Sequence, residues 1–116
     1  MLRSRFGGLP SQRVAPDALV LEATSFRSRV LGLALLDADE CPRATGLLLK
    51  PCASIHTFGM RFPIDVAFVD CDGRALRVIR DLPRRRFRSC RGAAACLEAP
   101  AGELSRFLRR PIRPGG

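Results

Sequence analysis

Residues 54–82, SIHTFGMRFPIDVAFVDCDGRALRVIRDL, decide the fold. Ile64, Val66 and Phe68 alternate with Asp65, Ala67 and Val69, and Leu76 and Val78 alternate with Arg77 and Ile79. A period of two in β-branched and aromatic residues predicts two strands. Between them, Asp70-Cys71-Asp72-Gly73 predicts a tight hairpin. Gly73 takes positive φ at little steric cost, and Asp72 can bond its local backbone. Pro63 has no amide hydrogen, which suits the start of a strand. Both faces of the first strand are mostly apolar, so cover on both sides is expected. Asp65 then lies among apolar neighbours and must be hydrogen-bonded, paired or wet. It either ties a loop down or serves a pocket as base or ligand anchor.

Outward from this stretch, the chain of 116 residues predicts one domain. Such a domain buries roughly two-thirds of its unfolded surface, enough for a core without covalent staples. With no Trp and no Tyr, seven Phe and the aliphatics must fill that core. Residues 1–17 are polar, basic and broken by Gly7, Gly8, Pro10 and Pro16, which predicts a flexible arm. The β-rich domain is expected over residues 18–112, with 113–116 as a tail.

Within it, Leu19 to Ala23 predicts a short strand. Thr24 or Ser25 can cap a helix in which Phe26, Val30 and Leu33 recur at helical spacing, to about Leu35. Residues 37–44 predict a loop, Gly46 to Leu49 a buried strand, and Ile55 to Phe58 another. Pro83 to Arg91 predicts a solvated loop. Ala93 to Ala99 returns to strand character, with Cys96 and Glu98 on one face and Ala95 and Leu97 on the other. Leu104, Phe107 and Leu108 give one apolar face of a last short helix, stopped by Pro111. The fold class expected is mainly β with some α, a small barrel-like antiparallel or mixed sheet with one or two short helices.

Phe58, Met60, Ile64-Asp65, Phe68, Asp70 and Gly73 together resemble the signature of the domain of unknown function 192 family. Arg29-Val30-Leu31-Gly32-Leu33 resembles that family's Arg-x-x-Gly-Leu element, and Glu98 to Gly102 its closing Leu-Glu-x-x-x-Gly segment. The chain departs from the pattern at Ala34, where the family often has Met, and in leaving little length after Gly102 for a last strand. The resemblance implies a small barrel-like β domain and no established activity.

Net charge is +9, and Lys50 is the one lysine among 20 cations. An arginine excess suits phosphate or carboxylate recognition, and an arginine-favouring genome produces the same excess. The sequence leaves both open. Five Cys cannot all pair within the chain, and no Cys-x-x-Cys occurs. Residues 1–8 carry charge without an apolar core, so no signal peptide is expected, and no apolar run is long enough to span a bilayer. A cytoplasmic protein with reduced thiols is expected.

Four functions fit these residues unequally. His56, Met60, Arg61 and Asp65 would line the mouth of a small barrel, Arg61 meeting an anionic group and Asp65 orienting Arg61. That gives a non-catalytic module for a small anionic ligand or a protein partner, the favoured expectation. Arg84, Arg85, Arg86, Arg88 and Arg91, with Phe87 inside the run, form an alternative site for nucleic acid. A hydrolase-like enzyme using His56 and Asp65, with Cys52 as nucleophile, is the second alternative; no nucleophile-elbow, phosphate-loop or His-Glu-x-x-His pattern supports it. Cys41, Cys52, Cys90, Cys96 and His56 are donors of the right type for zinc, but no close sequence pair fixes a site, so neither metal nor cofactor is expected.

Overall fold

The chain runs through β1 (Ser11–Ala15), β2 (Ala18–Ala23), β3 (Thr45–Leu49), β4 (Ser54–His56), β5 (Ile64–Val69), β6 (Ala75–Leu82), β7 (Phe87–Ser89) and β8 (Ala95–Pro100), then a 3-10 helix at Leu104–Phe107. This is a computed structural model that describes residues 11–15, 18–23 and 45–108. The helix expected from Thr24 to Leu35, the 37–44 loop, residues 1–10 and the tail lie outside the described residues.

Six strands form one mixed sheet in the order β1-β2-β3-β8-β5-β6, and β4 and β7 form a separate antiparallel ribbon. Among the described strands only β2 and β3 pair in parallel, a pairing that a tight hairpin cannot make. The protein is mainly β, as its alternating patterns predict. The sheet ends at β1 and β6, and among the described residues no ladder joins these ends.

Strand β5 explains why the sheet has two cores. Ile64, Val66 and Phe68 pack in one apolar cluster with Leu47, Leu49, Ile55 and Met60. Ala67 and Val69 pack in the other, with Leu48, Leu97, Leu104 and Phe107. The expected cover on both sides is therefore present. All six residues of β5 are buried, and each large apolar side chain so sealed contributes about 1.5–3 kcal/mol. The β4 end of the small ribbon supplies Ile55 to the first cluster, and the 3-10 helix supplies Leu104 and Phe107 to the second.

Two segments differ from expectation. Ser11–Ala15, assigned by composition to the arm, is β1, pairing antiparallel with β2 through Ser11↔Leu21 and Arg13↔Leu19. An edge strand needs one partner and one buried residue, here Val14, so its polar sequence hides it. Phe87–Ser89, read as loop, is β7 and pairs with β4 through Ser54↔Ser89 and His56↔Phe87. Arg84, Arg85 and Arg86 stay exposed in the turn before it, whereas Arg88 within it is half-buried.

Gly46 is where the 3-10 helix presses on β3. A Cβ there would lie 3.2 Å from Leu97 Cδ1 and 3.3 Å from the Phe107 ring. Gly46→Val is expected to lower unfolding stability by about 2 kcal/mol through overpacking. An unchanged urea midpoint would mean that Phe107 does not seat there.

Candidate functional site

Asp65 sits on β5 opposite an irregularity in β6. Ile64 pairs with Leu82 and Val66 with Ile79, so Arg80 and Asp81 together face one residue. This is a β-bulge, and Asp81 takes a left-handed φ of 55° in it. Asp65 Oδ1 accepts the Asp81 N–H at 2.8 Å. Its Oδ2 accepts the N–H of Gly102 at 2.9 Å and of Leu104 at 3.3 Å. The carboxylate, 1% exposed, thus joins the bulge to the turn that starts the 3-10 helix. Arg80 Nη1 lies 4.0 Å away and half in solvent, a weak contribution. Of the two roles that the sequence allows Asp65, the structure displays the tying of loops.

The four residues expected to share a pocket are set apart. Asp65 shares its side of β5 with Ala67 and Val69, whereas Met60 is buried in the cluster on the opposite side. Arg61 is exposed after the Thr57–Met60 turn. His56 is half-buried on β4; its Nδ1 is buried and has no hydrogen-bond partner. The Asp65 oxygens hold backbone amides and orient no imidazole, and Cys52 Sγ donates to the Ser54 carbonyl at 3.0 Å. Nothing in this geometry assembles a Cys-His-Asp relay. Among the described residues no three His, Cys, Asp or Glu side chains are placed to hold a metal ion.

The arginine loop is organised by Thr57, a residue that no sequence pattern singles out. Its N–H donates to the Arg86 carbonyl at 2.8 Å, and its carbonyl accepts from Met60 at 3.1 Å and Arg85 at 3.3 Å. Its hydroxyl donates to the Pro83 carbonyl at 2.8 Å and accepts the Arg86 N–H at 2.7 Å. Fully buried, Thr57 clasps the 83–86 turn against the 57–60 turn. Arg85, at a left-handed φ of 63°, is held by that clasp. Arg84, Arg85 and Arg86 are exposed, and the Arg86 guanidinium leans back on the Arg84 and Arg85 carbonyls.

Aromatic rings stand beside them. Phe87 is 60% exposed and Phe58 55%. His56 lies directly across the ladder from Phe87, so their side chains share a face. The His56 ring is also 6.0 Å from that of Phe58, tilted at 41°. Not all the expected arginines join this face. Arg88 pairs with Ile55 and points with it toward the core side, half-buried. Arg91 follows β7 at the far end of the ribbon. The candidate surface therefore comprises His56, Phe58 and Phe87 with the adjoining exposed turn of Arg84, Arg85 and Arg86. Phe58 was legible in sequence only as a signature residue; its exposure follows from its place in the turn after β4.

A family model, DUF192, described as uncharacterized ACR, matches residues 12–114. No curated protein matches the chain. Two solved structures share the fold. One is titled "a putative transcription regulator" from Sinorhizobium meliloti 1021, with TM-score 0.68, 20% identity, and 81% of this chain and 77% of that one covered. The other is a protein of unknown function from Novosphingobium aromaticivorans DSM 12444, with TM-score 0.68, 19% identity and coverage of 90% and 84%. Among the described residues no helix is long and apolar enough to cross a membrane.

Proposed function

The chain belongs to the DUF192 family, and on that footing we propose that it is a non-catalytic binding module whose arginine and aromatic face takes single-stranded nucleic acid. The observation that carries this reading is the exposure of Phe58 and Phe87, each a neighbour of His56, with three consecutive arginines preceding Phe87. An exposed Phe forgoes burial that the core could have given it, and two in one small patch await a partner surface. Bases offer flat faces for these rings, and phosphates offer the arginine forks two acceptors each. A duplex hides its base faces, so single strands fit better. A net charge of +9 adds attraction for any polyanion. A cytoplasmic setting, where RNA and reduced thiols coexist, belongs to the same reading.

The test is fluorescence anisotropy with oligo-U and oligo-dT across a salt series. Replacing Arg84, Arg85 and Arg86 together by Ala is expected to weaken binding about tenfold and flatten the salt dependence by about 2 in log–log slope. Phe58→Ala with Phe87→Ala is expected to weaken binding about tenfold with the salt slope kept, since stacking releases no counterions. Wild-type protein that fails to bind either oligomer near physiological salt sinks the reading. So does equal loss of slope in both variants.

A further inference from the structure

Three thiols converge at the foot of the β4–β7 ribbon, Cys52 from a segment far in sequence from Cys90 and Cys96. Cys96 on β8 is fully buried in the first apolar cluster, and the half-buried Cys52 and Cys90 pack against that cluster. Backbone bonds fix the approach: Cys52 N–H donates to the Ala94 carbonyl at 3.3 Å, and Cys90 N–H to the Ala53 carbonyl at 2.8 Å. The thiols of Cys52 and Cys96 neighbour one another at this cluster. Cys52 in turn donates to the Ser54 carbonyl. Cys71 is elsewhere, exposed in the hairpin turn, and Cys41 lies outside the described residues.

We propose that Cys52 and Cys96 form a peroxide-oxidisable dithiol site, Cys52 taking the oxidant and Cys96 closing the disulfide. The roles follow from position. Cys52 reaches solvent and Cys96 does not, so a hydroperoxide meets Cys52 first. Burial, then the neighbouring Cys52 thiol, pushes the Cys96 thiol well above the usual 9.0, which keeps it a protonated, waiting partner. In the first step Cys52 Sγ attacks the outer oxygen of the hydroperoxide. The O–O bond breaks, water or an alcohol leaves, and Cys52 becomes a sulfenic acid. In the second step Cys96 Sγ attacks Cys52 Sγ. The S–O bond breaks, and the Cys96 proton leaves with the hydroxyl as water. Two thiols and one hydroperoxide thus give one disulfide, water and the reduced peroxide. The bond would fasten β8 to the lead-in of β4, which carries His56 and precedes Thr57. This inference stands independently of nucleic-acid binding.

Full-length reduced protein is treated with hydrogen peroxide, alkylated in denaturant and digested without reductant. The expected product is a Cys52–Cys96 linked peptide that dithiothreitol dissolves, with Cys41, Cys71 and Cys90 alkylated. Cys96→Ser is expected to leave a Cys52 sulfenic acid that dimedone traps, and Cys52→Ser to give no link. A link between any other pair, or oxidation at Cys71 while Cys52 and Cys96 remain alkylated, overturns the proposal. The wild-type map decides even if either variant fails to fold.

Discussion

Asp65→Ala is expected to lower the free energy of unfolding by about 4 kcal/mol, the largest loss from any single side chain described above. The carboxylate accepts the N–H groups of Asp81, Gly102 and Leu104. An orphaned buried donor costs about 1–3 kcal/mol; the amides of the exposed Asp81 and Gly102 can recover some water, whereas that of the buried Leu104 cannot. Removing the clasp also frees the bulge, whose left-handed Asp81 is a conformation that non-glycine residues hold only under constraint. Asp65→Asn is the sharper variant. Its single carbonyl oxygen can serve Asp81 or the Gly102–Leu104 pair; its NH2 then meets amide donors at the other end. A loss of about 2–3 kcal/mol is expected, by the same cost per orphaned donor. Urea unfolding measures both. Amide exchange adds a local readout: Asp81, Gly102 and Leu104 should exchange faster together. A midpoint shift without that shared acceleration would show that the carboxylate does not couple the two loops.

Asp65 also shows where sequence stops. Alternation along Ile64–Val69 places its side chain among apolar neighbours and requires partners for it. It does not supply them, because the donors sit 16, 37 and 39 residues away. Charge alone points to arginines as partners for Asp65. The structure uses backbone amides instead, which carry no sequence signal. The hairpin shows the same limit at closer range. Gly73 does take positive φ, at 81°, as the turn demands. Yet Asp70, not Asp72, supplies the side-chain bonds, accepting the N–H of both Asp72 and Arg74 at 2.9 Å. Two aspartates two residues apart are equivalent to pattern; only the turn's register separates them.

The ribbon was harder to see because short strands leave little periodicity. Phe87–Ser89 engages three residues, too few for an alternation to stand out from an arginine run. The sequence therefore shows the arginines and Phe87 as one continuous segment. It could not place Phe58 and His56 beside them or turn Arg88 away. The pocket expected from His56, Met60, Arg61 and Asp65 failed for a related reason. Nearness along a strand-and-turn segment does not mean a shared face, and Met60 and Asp65 fall on opposite sides of β5.

Thr57 lets stability and binding be tested by one substitution. Thr57→Val keeps shape and volume nearly constant and removes only the hydroxyl. The Pro83 carbonyl and the Arg86 N–H, at 2.8 and 2.7 Å from that oxygen, then lose a shared partner in a buried place. A destabilisation of about 2–3 kcal/mol is expected, and Thr57→Ser should restore most of it, because the hydroxyl is what matters. The effect on nucleic acid should exceed what global stability explains. At temperatures where Thr57→Val remains folded, the 83–86 turn has lost its clasp, and the arginines must be ordered at the moment of binding. Affinity for oligo-U should therefore fall several-fold while the salt slope stays near that of wild type, since no charge has been removed. Unchanged affinity in folded Thr57→Val protein would separate the turn from the binding face, and with it the reason for a buried threonine beneath three arginines.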